Sequence, residues 1–290
     1  MKKGGVSMYK TINDCEIYYE IHGKEDGKAI FFIHGAPGLG DCRSDLNAFK
    51  SLGDTYKLVF LDMRGSGRSQ DKPPYTHEQW TSDIDELRKQ LNIEKIMIHG
   101  GSYGGFISLE YVLRYPERVS LCLLRDTAPN QDYQHLSTER ALKANLPGVT
   151  EEELDRLWKG QVRSNEELKA IFYALQPLYT VEYDSIKVKE RIDSIFYHFE
   201  THNYAFNTNQ PNYDIRDRLK EIQVPVLVSV GRYDWVTPVA YSEVIAGEVP
   251  NSKLVIYENS GHSPHIEENE SYLKAVRQFI NEAAKEEVKL

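Results

Sequence analysis

Six short runs along the chain are apolar without alternation: residues 29–33, 58–61, 95–98, 119–124, 226–230 and 254–257 are dense in Ile, Val, Leu and Phe. A strand with one face in water alternates polar and apolar positions, and a strand buried on both faces does not, so these runs predict a parallel sheet covered on both sides. Between them, 76–91, 106–115, 238–248 and 268–284 carry charges interleaved with apolar residues at helical spacing, as where Asp83, Glu86 and Arg88 fall among Ile84, Leu87 and Leu91. The repeated order of strand and helix predicts the α/β class: a mostly parallel central sheet flanked by helices and built with right-handed crossovers.

The repeat breaks once. From 131 to 214 the strand-like runs vanish and the chain turns helical, charged and aromatic, as in EEELDRLWKG and SIFYHFETHNYAF. The expected organisation is therefore a core formed by 1–130 and 215–290 with an inserted helical cap, or lid, at 131–214. That insertion holds 14 acidic against 9 basic residues and 12 of the chain's 32 aromatic ones, so it leans acidic while offering apolar binding surface.

Composition narrows the partners. With 290 residues, 40% hydrophobic and 27% charged, the chain can bury a sizeable core. A net charge of −9 without a dense Lys/Arg cluster is the wrong sign for tracking phosphates, so no nucleic acid is expected. The opening MKKGGVSMYK has no apolar stretch behind its lysines, and no segment approaches the length of a membrane span; a cytoplasmic location without membrane contact is expected. Cys15, Cys42 and Cys122 are odd in number and widely spaced, which reads as free thiols rather than a disulfide framework or zinc site.

The segment IEKIMIHGGSYGGF runs from a strand through a glycine-flanked serine into a helix. Such a turn needs neighbours with almost no side chain, which Gly100 and Gly104 supply, and it projects the Ser102 hydroxyl outward. A serine hydroxyl needs a base to take its proton. In LVIYENSGHSPHIEE both His262 and His265 follow a strand run, and His262 lies nearer the strand end. The imidazole needs an anion to fix its tautomer, and Asp234, just after the penultimate strand run, gives the chain order Ser, Asp, His; Asp126, at the end of LCLLR, is the rival. In FFIHGAPG, the small residues Gly35, Ala36 and Gly38 let backbone N–H groups face a substrate. The amides of Ala36 and Tyr103 are the expected oxyanion donors. His34 and His99, at strand ends, are expected to shape the pocket. This set implies acyl transfer with no metal and no cofactor, on a small-molecule or short-peptide substrate.

With HGAPG, DMRGSGRS, GGSYGG and the pair GRYDWVTP and SGHSPHIEE in view, the chain resembles the α/β-hydrolase superfamily over nearly its whole length, and within it the proline iminopeptidase branch. The resemblance implies the α/β-hydrolase fold, a Ser-His-Asp triad, and release of an N-terminal residue whose amino group an acidic lid holds. Glu200 and Glu182 are then the candidate lid carboxylates, beside Gly35 at the substrate. This chain departs from the branch at Ala36, where a second glycine is usual, and at Tyr103, where tryptophan is frequent. Esterases and lactonases of the same superfamily share these motifs, and a non-catalytic ligand-binding protein that keeps the fold is a further alternative.

Overall fold

In the computed structural model, which describes residues 6–287, the six apolar runs become strands β3 to β8: Ala29–Ile33, Lys57–Leu61, Ile96–Gly101, Val119–Arg125, Val226–Gly231 and Ser252–Tyr257. The residues before Val6, on which part of the reading of the opening segment falls, lie outside the described ones. Two further strands precede the six, β1 (Val6–Ile12) and β2 (Cys15–Gly23), paired antiparallel through a two-residue turn in which Asn13 and Asp14 both have positive φ, 44° and 61°. That is the backbone twist a tight hairpin requires. The eight strands form one sheet in the order β1-β2-β4-β3-β5-β6-β7-β8, antiparallel where β2 meets its neighbours and parallel from β4 to β8.

The unalternating runs follow from two apolar layers sharing one sheet. On β3, Phe31 and Ile33 face one layer and Ile30 and Phe32 the other; on β4, Val59 and Leu61 oppose Leu58 and Phe60 in the same way. Helices α2 (His77–Gln90) and α3 (Tyr103–Arg114) close the first layer with Trp80, Ile84, Leu87, Ile107 and Tyr111. The second is closed by Phe49 of α1 (Arg43–Phe49) and by Tyr272, Val276 and Phe279 on the long C-terminal helix Asn269–Glu287. Each such side chain contributes about 1.5–3 kcal/mol by leaving water.

Between β6 and β7 the chain is helical: α4 (Tyr133–Lys143), α5 (Glu151–Trp158), α6 (Asn165–Leu175), α7 (Ser185–Asp193) and α8 (Phe199–Tyr204). At its neck Asn130 forms a single antiparallel bridge with Asp214, and Ile215 N–H donates to Pro129 O at 2.9 Å. The apolar side of the insertion, including Leu157, Phe172 and Phe206, joins the first core layer. Helix α9 (Val239–Glu248) follows β7 and α10 (Pro264–Glu267) follows β8, so the long C-terminal helix is α11. Among the described residues no helix is long and apolar enough to cross a membrane.

Candidate active site

Ser102 stands between β5 and α3 with φ 54° and ψ −125°, a conformation that costs a non-glycine residue on the order of 1–3 kcal/mol. Hydrogen bonds on both sides impose it: Ser102 N–H donates to Arg125 O (2.8 Å), while Ser102 O accepts from Gly105 N–H and Thr127 Oγ1, each at 2.9 Å. The flanking glycines are steric necessities. A Cβ on Gly100 would sit 2.2 Å from Gly104 O, and one on Gly104 would sit 2.1 Å from Ile33 O, so strand and helix backbones could not approach as they do. The serine side chain remains half-buried at the carboxyl edge of the sheet.

The loops after the next strands bring a histidine and a carboxylate to that edge. His262, beyond β8, places Nδ1 2.8 Å from Asp234 Oδ1, beyond β7. Asp234 is fully buried, and its oxygens also accept from Val236 N–H (2.8 Å), Thr237 N–H (3.1 Å) and Thr237 Oγ1 (2.9 Å). A carboxylate so engaged takes a proton donor from the ring, which assigns the hydrogen to Nδ1 and leaves Nε2 as the basic nitrogen. Burial works against the imidazolium, but the charge of Asp234 and its hydrogen bond outweigh it, with Asp126 adding to them, so the His262 pKa is raised.

The rivals separate in space. His265 is buried with its ring 5.8 Å from that of Phe49 in the opposite core layer, and burial followed by repulsion from Arg125 drives its pKa well down. Asp126 stays close: its carboxylate, that of Asp234 and a ring nitrogen of His262 lie within 4.8 Å of one another. A cation among these three groups would have to displace the bonds of Asp234 to backbone, hydroxyl and imidazole. Arg125 and Thr127, the partners of the Ser102 backbone, flank Asp126 in sequence and so bring serine and histidine to one neighbourhood. Among the described residues no hydrogen bond joins Ser102 Oγ to His262.

The loop after β3 presses on the serine, where a Cβ on Gly35 would lie 2.9 Å from Ser102 Cβ. Met63 N–H donates to His34 Nε2 (3.0 Å), so the ring hydrogen is on Nδ1 and reaches Gly35 O (2.8 Å). Because C=O and N–H point opposite ways across a trans peptide, this turns the Ala36 N–H away from the histidine. Ala36 itself has φ 49°. Among the described residues, neither Ala36 N–H nor Tyr103 N–H has an acceptor within the protein. The DMRGSGRS stretch supports the loop from beneath: Ser66 Oγ accepts from Gly38 N–H (3.0 Å), and buried Asp62 accepts from Cys42 N–H (2.9 Å), Arg68 N–H (2.9 Å) and Arg68 Nε (2.8 Å).

Three contributors from the insertion, Tyr179, Arg140 and Ser137, carry no motif that sequence could flag. Tyr179 O accepts from His262 N–H at 2.8 Å, and its ring meets the imidazole edge-on at 5.6 Å. Arg140 Nη1 donates to Asp234 O (2.6 Å), and Ser137 Oγ to Val236 O (2.6 Å), one helical turn apart on α4. Glu267 ties the insertion to the histidine loop, accepting from Val181 N–H (2.6 Å) and Gly261 N–H (2.8 Å). Glu200, in the first turn of α8, and Glu182 are both exposed, and among the described residues neither forms an ion pair. The three cysteines are free and buried, and burial pushes their thiols up, away from nucleophilic use.

The sequence model of the alpha/beta hydrolase fold family matches residues 28–269. Proline iminopeptidase PfmaB of Pestalotiopsis fici is 32% identical over 276 residues, covering 94% of this chain and 98% of that protein. The proline iminopeptidase of Saccharolobus solfataricus is 29% identical over 292 aligned positions, covering 94% and 92%. Among solved structures, an alpha/beta fold family hydrolase from Bacillus anthracis superposes with a TM-score of 0.76 at 21% identity, over 96% of this chain and 99% of that one. A thermophilic esterase from Thermogutta terrifontis gives 0.76 at 22%, over 96% and 99%. The chain belongs to the α/β-hydrolase fold family, as a proline iminopeptidase-like serine hydrolase.

Proposed function

We propose that the protein is an aminopeptidase of the proline iminopeptidase kind, cleaving the first peptide bond of a short peptide through Ser102, His262 and Asp234. The observation that carries this reading is the 2.8 Å contact of His262 Nδ1 with the saturated, buried carboxylate of Asp234, which leaves Nε2 free to act as base. His262 Nε2 takes the hydroxyl proton as Ser102 Oγ attacks the carbonyl carbon, and the Ala36 and Tyr103 N–H groups hold the resulting oxyanion. The imidazolium then passes its proton to the departing nitrogen as the C–N bond breaks. A water molecule, deprotonated in turn by His262, attacks the acyl-enzyme, and the product acid leaves as Ser102 regains its proton. Residues 131–214 form the cap over this site, with Glu200 and Glu182 as the carboxylates assigned to the substrate's ammonium group.

Ser102→Ala tests the core of the reading. Turnover of L-proline p-nitroanilide falls by at least about 10⁴-fold with an unchanged circular dichroism spectrum. A variant as fast as the parent overturns it.

One observation favours a second reading, an esterase or lactonase with an apolar acyl site. Rings succeed one another from His262 outward, with Tyr179 5.5 Å from Trp235, Trp235 6.3 Å from Trp158 and Trp158 5.8 Å from Phe206. Comparison of kcat/KM for the proline anilide with that for short p-nitrophenyl esters and lactones decides between the two. Turnover of an ester alone does not, because activated esters are intrinsically easy substrates.

A further inference from the structure

Asp126 is a buried carboxyl that the proposed mechanism leaves unused. It directly follows β6, as Asp234 follows β7, and Asp126 N–H donates to Ser229 O (2.8 Å), so the two acids arise from neighbouring strands. Gly231 lies between them: its N–H donates to Asp126 Oδ1 (3.0 Å), and its carbonyl accepts from Asp234 N–H (3.1 Å). The base loop closes on that glycine, since a Cβ there would meet Gly261 O at 1.9 Å and Ser260 O at 2.6 Å. The Asp126 carboxylate, the backbone of Asp234 and the loop that carries His262 therefore meet at one backbone position, with no room there for a side chain.

Two observations set Asp126 apart from an ordinary buried acid. Its backbone has φ 48°, a conformation costly for a residue with a Cβ. Its charge is also incompletely compensated. Arg125 Nη1 is 3.3 Å from Oδ2, but the same guanidinium lies 3.6 Å from buried Asp45, which makes no hydrogen bond of its own. Facing Asp126 are thus one cation shared between two acids, the carboxylate of Asp234 and the ring of His262.

Resting on the triad reading, we infer that Asp126 is a positioning residue and a second carboxylate partner of His262, able to take the imidazole Nδ1–H when Asp234 cannot. From a separation of at most 4.8 Å, a shift of no more than about 2 Å reaches hydrogen-bond distance. Two acids on adjacent strands then serve one base: Asp234 holds it in the intact protein, and Asp126 stands in reserve behind it.

The experiment is a double-mutant cycle on the full chain with Asp234→Asn, Asp126→Asn and the pair, each exchange nearly isosteric. Two readouts are taken: the rate of Ser102 phosphonylation by a fluorophosphonate probe, and the downfield proton resonance of the His262 Nδ1–H. In the Asp234→Asn protein the resonance persists, and the serine labels at least tenfold faster than in the double variant. Asp126→Asn then costs more in the Asp234→Asn background than in the parent. Equal labelling of Asp234→Asn and the double variant, with the resonance lost in both, overturns the inference. A parent that fails to label instead defeats the nucleophile assignment, and the resonance still reports on Asp126. Thermal unfolding of all four proteins guards against a fold defect, since a loss tracking Tm across the set would also count against the proposal.

Discussion

The carboxyl edge of the sheet and the helical insertion are built on opposite terms. At the edge, backbone meets backbone: added Cβ atoms on Gly100, Gly104 and Gly231 would fall 1.9–2.2 Å from carbonyl oxygens, and the carboxylates of Asp126 and Asp234 accept from main-chain N–H groups. The outer face of the insertion is held by long side chains in water, as in the i,i+4 pairs Lys143–Glu139, Arg156–Glu152 and Lys159–Asp155 at 2.5–2.6 Å. Exposed pairs of that kind are each worth at most about 1 kcal/mol, whereas a carbonyl cannot step aside for a methyl group. The edge thus fixes where the reacting atoms are, and the insertion is free to vary what it presents to them. They are joined through the apolar face of the insertion and by hydrogen bonds at Tyr179, Arg140, Ser137 and Glu267, and at His198, whose N–H donates to Gly38 O (2.6 Å).

Glycine substitutions should break this contrast most visibly. Gly104→Val puts its Cβ 2.1 Å from Ile33 O and 2.6 Å from His34 O, both backbone, and is expected to cost more than about 3 kcal/mol. Gly148, in the insertion with φ 76°, has only Ala174 Cβ within 4 Å of the added atom, at 3.5 Å. Gly148→Ala therefore pays only for its backbone conformation, about 1–2 kcal/mol. Thermal or urea unfolding measures both. Comparable losses for the two variants would show that the edge and the insertion tolerate an added side chain alike.

Acidity separates the regions in sign as well as size. At the edge, the raised pKa of His262 means that folding favours the imidazolium. Its contribution to stability is complete below the free imidazole value of about 6.5 and is lost as pH rises through the higher folded value. The neutral ring is the base, so kcat/KM climbs through that same value and its acid limb lies above about 6.5. Asp234→Asn moves the limb to lower pH. In the insertion, Asp193 runs the other way: hydrogen bonds from Lys169 and then Lys189 lower its pKa to about 2, so its contribution is present above the ordinary carboxylate range and fades as pH falls toward 2. A pH–rate profile for the parent with its acid limb below 6 would contradict the electrostatics assigned to the edge.

The same division decides what sequence could reveal. Strands β3 to β7 are legible because burial on both faces leaves an unbroken apolar signature, and GGSYGG is legible because sterics exclude a side chain at its glycines. The β1–β2 hairpin shows no continuous apolar run: exposure alternates along SMYKTI, and the turn residues Asn13 and Asp14 are its one local signal. His262 and His265 sit three residues apart in similar text, and only packing against Phe49 sends the second to the far layer. Tyr179, Arg140 and Ser137 reach the site through contacts with no periodicity behind them, spanning, for Tyr179 and the histidine, the last part of the insertion and the next two strands. For Glu200 and Glu182 charge was the only clue, and charge on an exposed helix is what any solvated face shows.

The smallest effect offers the sharpest comparison, because it should touch stability and leave chemistry alone. Thr150 begins α5 with a reciprocal cap: its Oγ1 accepts from Glu153 N–H (3.3 Å), while Glu153 Oε2 accepts from Thr150 N–H (3.0 Å). Thr150→Ala removes one acceptor from a helix end that already lacks intrahelical partners, at a cost of about 1 kcal/mol. In a chain of this size that lowers Tm by about 2–4 °C. Helix α5 buries Leu154 and Leu157 and contributes no atom to the bonds around His262 or Asp234, so kcat should hold within about twofold. A KM that rises while kcat stays level would show that α5 shapes the cap over bound substrate. A matching fall in kcat would mean that the insertion helps hold the catalytic geometry itself, and the two regions would have to be read as one.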